Sequence, residues 1–151
     1  MGNRYYVAGR TAATAATIDN VGAELWNPHG TKSVYVNEVW WFQTTAAVGN
    51  QGLVRTSAKG TSTLTVTPDA DNATDRRAVP PSGATLELTF SAQPTLATPY
   101  LARTNTAAAI GLGFIWVFPM PIEVPAGTGL AIATPVAVVL AVSDVTFAFE
   151  E

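Results

Sequence analysis

The residue types that nucleophilic catalysis requires are almost missing from this sequence. It contains one histidine, His29, set in a Pro-His-Gly turn, and no cysteine. A serine nucleophile needs a histidine base and a sharp turn that exposes its hydroxyl, and no such serine motif is present. Metal sites built from several histidines or cysteines are excluded as well. We therefore predict no catalytic residue and interpret His29 as an exposed turn residue.

Alternating oxygen ligands occur once, in residues 69–75 (DADNATD). Such alternation is typical of loops that wrap a calcium ion. This stretch lacks the central glycine and the terminal glutamate of the helix-flanked calcium loop. A solvated loop closed by Asx turns is the favoured interpretation, and we predict neither a metal ion nor another cofactor.

Paired carboxylates are the other arrangement that could support catalysis, because two of them can hydrolyse a glycosidic bond. Glu38, Glu87, Glu123 and Asp144 each lie in or beside a predicted strand, but no spacing marks two of them as partners. We interpret each as a residue on the wet face of its strand. The chain is predicted not to be an enzyme, and a hydrolase that uses Glu87 or Glu123 stays open only as a third alternative.

Aromatic side chains are the best candidates for recognition. The chain has four tryptophans, Trp26, Trp40, Trp41 and Trp116. Aromatic rings stack on the apolar faces of sugars, so a sugar-binding platform is one interpretation. Three of the four lie inside apolar runs, which favours packing in a core or against another protein. We predict a protein interface that includes Tyr35, Trp40, Trp41, Phe114, Trp116, Arg76 and Arg77.

Short apolar runs between frequent turn residues must position these side chains. Residues 84–91 alternate strictly between apolar and polar side chains, and residues 110–118 place Phe114, Trp116 and Phe118 on one face. Residues 33–44 are apolar on both faces, with Val34, Val36, Trp40 and Phe42 on one and Tyr35, Val39 and Trp41 on the other. A strand covered on both faces belongs inside an assembly or under a crossing loop.

These patterns predict about eight to ten strands and no helix of ordinary length. The fold class is all-β, an antiparallel two-sheet sandwich that is jelly-roll-like. Residues 1–20 form an N-terminal strand and arm, and residues 21–151 form the sandwich, within one domain overall. The small-residue tract 11–17 fits an extended arm or one short helix. Alternating apolar residues from 136 to 142 predict a late strand.

Charge is scarce, and its shortage limits the partners. Charged residues make up 13% of the chain, apolar residues 48%, and the net charge is −3. Direct nucleic-acid binding is not expected, because phosphate neutralisation needs clustered cations and no basic stripe occurs. The N-terminus lacks the apolar core of a signal peptide. The apolar stretches 107–122 and 131–142 are too short and too interrupted to span a membrane, so we predict buried strands and no membrane contact.

Part of the chain resembles a known group of proteins. Residues 115–119 (IWVFP) and 122–132 (IEVPAGTGLAI), together with the Lys59-Gly60-Thr61 turn within residues 55–65, are similar to small jelly-roll virion proteins of tailed bacteriophages. The resemblance covers about half of the chain, and the motifs that carry it are the residue types found at turns.

This resemblance implies a capsid decoration, or cement, protein. Such a protein is made in the host cytoplasm and sits on the outer capsid surface of the virion. Its partner would be the major capsid protein, at points where shell subunits meet, and it would be a homotrimer. The alternatives are a lectin-like carbohydrate-binding module and a virion protein of the tail or fibre.

Overall fold

The computed structural model describes residues 2–69, 73 and 80–151, and it has ten strands and no helix within them. The strands are β1 (Arg4–Arg10), β2 (Val21–Asn27), β3 (Val34–Gln43), β4 (Gly49–Ala58), β5 (Thr61–Val66), β6 (Thr85–Ala92), β7 (Thr95–Thr106), β8 (Gly113–Val124), β9 (Thr128–Ala133) and β10 (Ser143–Glu150). The predicted all-β class is thus confirmed.

Two antiparallel sheets pack face to face. One has four strands in the order β1-β10-β3-β8, and the other has six in the order β5-β6-β2-β9-β4-β7. The pairs β1·β10, β2·β9, β3·β8 and β4·β7 are those of one long antiparallel hairpin rolled up upon itself. That pairing is the jelly roll, so the predicted sandwich is confirmed at the level of topology.

The two remaining strands, β5 and β6, continue the ladder between β4 and β7. Ala58 pairs with Thr95, and after a corner at Lys59 and Gly60 the pairing resumes between Thr61 and Ala92. Only glycine fits the corner, because a Cβ on Gly60 would lie 2.8 Å from the Ala92 carbonyl oxygen. We call this antiparallel ladder, which runs from β4 and β7 into β5 and β6, the ribbon. It reaches the far edge of the sheet, where β6 pairs with β2.

The core lies between the sheets and is built from the inward side chains of both. Its largest fully buried members are Trp41, Tyr5, Phe147 and Phe149. A second, smaller apolar cluster lies on the outer face of the six-stranded sheet, against the folded ribbon. It contains Val21, Val54, Ala131 and Ala133, packed against Phe90, Leu96 and Tyr100. Part of the apolar content outside the main core is therefore buried within the chain itself.

The predicted division of faces along β3 is wrong in its first half. Val34 and Val36 point inward together with Val39 and Trp41, because the ladder to β8 shifts register between Val36 and Glu38. Such a bulge inserts one residue and exchanges the faces of everything beyond it. The predicted common face of Phe114, Trp116 and Phe118 is correct, and all three pack against the core.

Two segments that sequence left open, or assigned to strands, are irregular. Residues 11–20 form neither helix nor strand, and residues 134–142 connect β9 to β10 without joining a sheet. The late strand predicted at 136–142 is therefore wrong; the chain leaves the sheet at Thr134, just before Pro135. β1 pairs along its length with β10, so residues 4–10 belong to the sandwich and not to a separate arm.

Candidate functional site

The outer face of the four-stranded sheet carries a band of apolar side chains. The ladders place Tyr6, Glu38 and Val117 in one row across the sheet, and Trp40 and Ile115 in the next. Phe42 follows in a third row, opposite Asp144. All of them point away from the core, because they alternate with inward residues of the same strands. We call Tyr6, Trp40, Phe42, Ile115 and Val117 the outer apolar face.

This face is open to solvent where β8 forms the edge of the sheet. Val117 is 63% exposed and Ile115 is 48% exposed, and Phe42 of β3 is exposed beside them. An isolated exposed apolar side chain needs no explanation, but neighbouring ones on adjacent strands mark an interaction surface. β8 is also an edge strand that has no strand on its outer side among the described residues.

Polar contacts fix the centre of the outer apolar face. The Arg4 guanidinium lies 2.6 Å from Glu38 Oε1, and Trp40 Nε1 donates to Glu38 Oε2 at 2.9 Å. Arg4 also lies over the Tyr6 ring at 5.4 Å, and Tyr6 meets Trp40 edge-on at 6.3 Å. The aromatic side chains of this face are thereby held in place, and an ordered surface loses less entropy on binding than a mobile one does.

The predicted interface residues that the structure describes fall in three places. Tyr35 and Trp40 point outward, and Tyr35 is exposed. Trp41 is fully buried between the sheets, so its side chain is not available to a partner of the folded chain. Phe114 and Trp116 contact each other at 4.4 Å between ring centres and pack against the core. Arg76 and Arg77, like most of the DADNATD stretch, lie outside the described residues.

Sequence reasoning missed Tyr6, Phe42, Ile115 and Val117 as members of one surface. The signal for Ile115 and Val117 was available, since they alternate with the inward residues Phe114 and Trp116. What the sequence does not contain is the register of β1 and β8 against β3 and β10, which brings these residues together.

Two carboxylates form a pair that sequence reasoning also missed. Glu24 of β2 pairs directly with Glu87 of β6, and both are fully buried on the outer side of the six-stranded sheet. The ribbon corner covers them: Lys59 Nζ lies 2.8 Å from Glu87 Oε1, and the Gly60 amide donates to Glu24 at 3.4 Å. Since neither carboxylate touches solvent, no substrate reaches them in this structure, and the pair is not an open glycosidase site.

The pKa values of these two carboxyl groups are shifted in opposite directions. Burial raises the pKa of Glu24 to about 7 although hydrogen bonds from Thr56 and Gly60 lower it, and the neighbouring Glu87 carboxylate raises it further. Burial also acts to raise the pKa of Glu87, but hydrogen bonds from Lys59 and from three hydroxyls outweigh it, so this pKa is lowered. Those hydroxyls belong to Ser62, Thr65 and Thr85.

His29 is bonded rather than free in its turn. Its Nε2 lies 2.7 Å from Glu151 Oε1, and the Ser82 hydroxyl and the Gly83 amide donate to the same carboxylate. A catalytic triad requires the serine hydroxyl to bond the imidazole, whereas here both bond the carboxylate. These contacts lower the pKa of Glu151 against its burial. The cluster ties the β2–β3 turn to the chain after β10.

Among residues 2–69, 73 and 80–151, no group of three or more histidine, aspartate or glutamate side chains could hold a metal ion. Within the same part of the chain, no helix has the length and apolar character needed to cross a membrane. Comparison with protein families, with curated proteins and with solved structures gives no match for this chain.

Proposed function

We propose that this chain is a non-catalytic structural protein of a tailed-phage virion that decorates the capsid. It docks onto the major capsid protein and strengthens contacts between shell subunits. The observation that supports the proposal most directly is the outer apolar face, where Val117, Ile115 and Phe42 are exposed on adjoining strands around a fixed aromatic pair. The similarity of residues 115–119 and 122–132 to phage virion proteins supplies the biological setting.

The shape of the face suits docking on a protein. Its exposed apolar side chains lie around an ion pair, Arg4–Glu38, whose two charges already satisfy each other, so docking on another protein buries no unpaired charge there. Burying the outer apolar face against another protein removes apolar area from water, which stabilises the complex. The low charge of the whole chain fits a surface that is partly covered in its working state.

An aspartate placed in the outer apolar face tests this function. Val117→Asp should weaken binding to phage capsids by about 100-fold or more, because a carboxylate buried without a partner costs several kcal/mol. Co-sedimentation with virions of the phage that encodes the chain measures the loss and the number of copies per shell. Leu101→Asp is the matched control: Leu101 is 46% exposed, but it lies in β7 of the other sheet. Equal binding by Val117→Asp and the unchanged protein would refute the docking surface.

Carbohydrate binding is the second proposed function. It is favoured by one observation, the outward Trp40 ring beside Tyr6, which offers an aromatic surface to a sugar. Against it, Glu38 already bonds both Arg4 and Trp40, so its carboxylate has little capacity left for sugar hydroxyls. Quenching of tryptophan fluorescence by added glycans, lost in Trp40→Ala, would favour this function over capsid decoration. Recovery of the chain with tails instead of heads would favour a tail or fibre protein.

A further inference from the structure

One end of the sandwich is almost free of charge. Four connections meet there: residues 11–20 between β1 and β2, 44–48 between β3 and β4, 107–112 between β7 and β8, and 134–142 between β9 and β10. Their thirty positions contain a single charged side chain, Asp19, and the Tyr100 hydroxyl donates to it. We call these four connections the uncharged end.

The opposite end has a different composition. The β2–β3 connection contains His29 and Lys32, and the described part of the segment that joins β5 to β6 adds Asp69. Loops are normally the polar parts of a domain, because they face water. Among the connections that the structure describes, charged side chains are therefore scarcest at the uncharged end.

Every connection of the uncharged end exposes at least one large apolar side chain. Ile110 is 72% exposed and Val48 is 62% exposed. Ile18, Leu112, Val136 and Val139 are exposed as well. An apolar surface contributed by four separate loops is larger than the scattered side chains of an ordinary surface, and such patches mark contacts with other molecules.

Hydrogen bonds between the loops make this end rigid. The Thr14 amide donates to the Leu140 carbonyl, and the Leu140 amide donates back to the Thr14 hydroxyl. The next link runs from the Thr44 amide to the Val142 carbonyl, and the last from the Gly111 amide to the Gln43 carbonyl. The four connections thus form one continuous surface that needs no reordering on binding.

The surface of the uncharged end is not flat. A groove of about 510 Å³ runs along it, between the segment 12–22 and the side chains of Phe90 and Gln93. Ile110 protrudes from a different connection of the same end. A surface that has both a groove and a protruding side chain can interlock with a copy of itself.

We infer that the uncharged end is the surface through which copies of this chain associate with one another. A second copy presents an equally uncharged, apolar surface, so no charge is buried without a partner when the two meet. A different protein is normally selected by complementary charges, and this end has almost none to offer. The inference deepens the proposed function and rests on it, since both treat the chain as an assembly protein.

A lipid bilayer is the less suitable occupant. The loops contain many threonines and irregular main chain, whose polar groups would lose water in hydrocarbon without gaining partners. Proteins that lie in the membrane interface commonly place lysine and arginine around the apolar side chains; the four connections contain neither, and the bordering Arg10 is already paired with Asp144. Another protein surface can supply hydrogen bonds to the same groups.

Sedimentation equilibrium of the purified full chain, without capsids, tests the inference. Between about 1 and about 100 µM the mass should be a multiple of the 15.8 kDa of one chain, whether two or three copies associate. Ile110→Asp and, independently, Val48→Asp should raise the dissociation constant by about 100-fold, because each buries a charge in the contact. Using two loops guards against a variant that fails to fold, which circular dichroism will reveal.

Two control variants separate this inference from the proposed function. Leu101→Asp should associate like the unchanged protein, and Val117→Asp should still associate while losing capsid binding. A single-chain mass throughout the concentration range would overturn the inference, and so would unchanged association of both Ile110→Asp and Val48→Asp. Co-flotation of single chains with phosphatidylcholine vesicles would overturn it in favour of a membrane.

Discussion

Replacing Trp41 with alanine should lower the free energy of unfolding by about 3 to 5 kcal/mol, whereas replacing the adjacent Trp40 should cost about 1 to 2 kcal/mol. The two residues are neighbours in sequence but lie on opposite faces of β3. Trp41 is fully buried between the sheets, and a Cβ on Gly22 would already lie 3.2 Å from its ring. Removing it leaves a cavity that so tightly packed a core cannot close.

Truncating Trp40 should cost much less stability, because its side chain is only half-buried on the outer face. Alanine there removes the edge contact with Tyr6 and the hydrogen bond to Glu38, and water replaces the ring. Urea denaturation followed by far-ultraviolet circular dichroism measures both variants, since tryptophan fluorescence itself changes. Capsid binding should show the reverse order, with Trp40→Ala weakened.

A gentler variant keeps this comparison informative if Trp41→Ala does not fold. Trp41→Phe retains an aromatic ring and should cost about 1 to 2 kcal/mol while leaving capsid binding intact, because the ring never reaches the surface. Equal destabilisation by Trp40→Ala and Trp41→Ala would contradict the assignment of the two faces. Loss of capsid binding in a folded Trp41→Phe would contradict it as well.

How far the sequence determined the fold can be judged along individual strands. In β8, strict alternation separates the inward Phe114 and Trp116 from the outward Ile115 and Val117, and the ladder to β3 keeps that alternation from Gly113 to Val117. In β3, alternation fails because the bulge after Val36 moves the later residues to the other face. A bulge is set by the pairing of two strands, so one strand's sequence does not reveal it.

The buried carboxylate pair and the uncharged end depend even more on pairing between distant segments. Glu24 follows Ala23 in an apolar strand and has nothing nearby that suggests a partner, because Glu87 is sixty-three positions away and meets it only through the β2–β6 ladder. The segment 134–142 alternates like a strand, yet it forms part of the uncharged end. Leu140 and Ala141 are buried whereas Val136 and Val139 are exposed, so the alternation in the sequence did not reveal which of these residues enter the core.

The stability of the protein should fall by about 3 kcal/mol between pH 4.5 and pH 7.5, and Glu24 is the reason. In the unfolded chain a glutamate loses its proton near pH 4.5, whereas in the folded protein the pKa of Glu24 is about 7. Between these values the folded state binds more protons than the unfolded state, so raising the pH favours unfolding. The two pKa values differ by about 2.5, and each pKa unit corresponds to about 1.4 kcal/mol.

Glu87 acts in a different range of pH. Its pKa is lowered from 4.5, so its stabilising contribution is present above that value and is lost only as the pH falls through its folded pKa. Protonation of groups such as Glu87 therefore causes the loss of stability at acid pH, and ionisation of Glu24 causes the loss of stability above pH 4.5. Maximum stability is expected near pH 4.5 to 5, on the acid side of the usual optimum.

Glu24→Gln isolates this effect, because an amide has the shape of the protonated carboxyl and cannot ionise. At pH 4.5 the variant and the unchanged protein should be about equally stable, and at pH 8 the variant should be more stable by about 3 kcal/mol. Urea denaturation across the pH range gives both curves, and their difference cancels the other titrating groups. Parallel curves for Glu24→Gln and the unchanged protein would mean that the buried pair under the Lys59–Gly60 corner does not hold a proton at neutral pH.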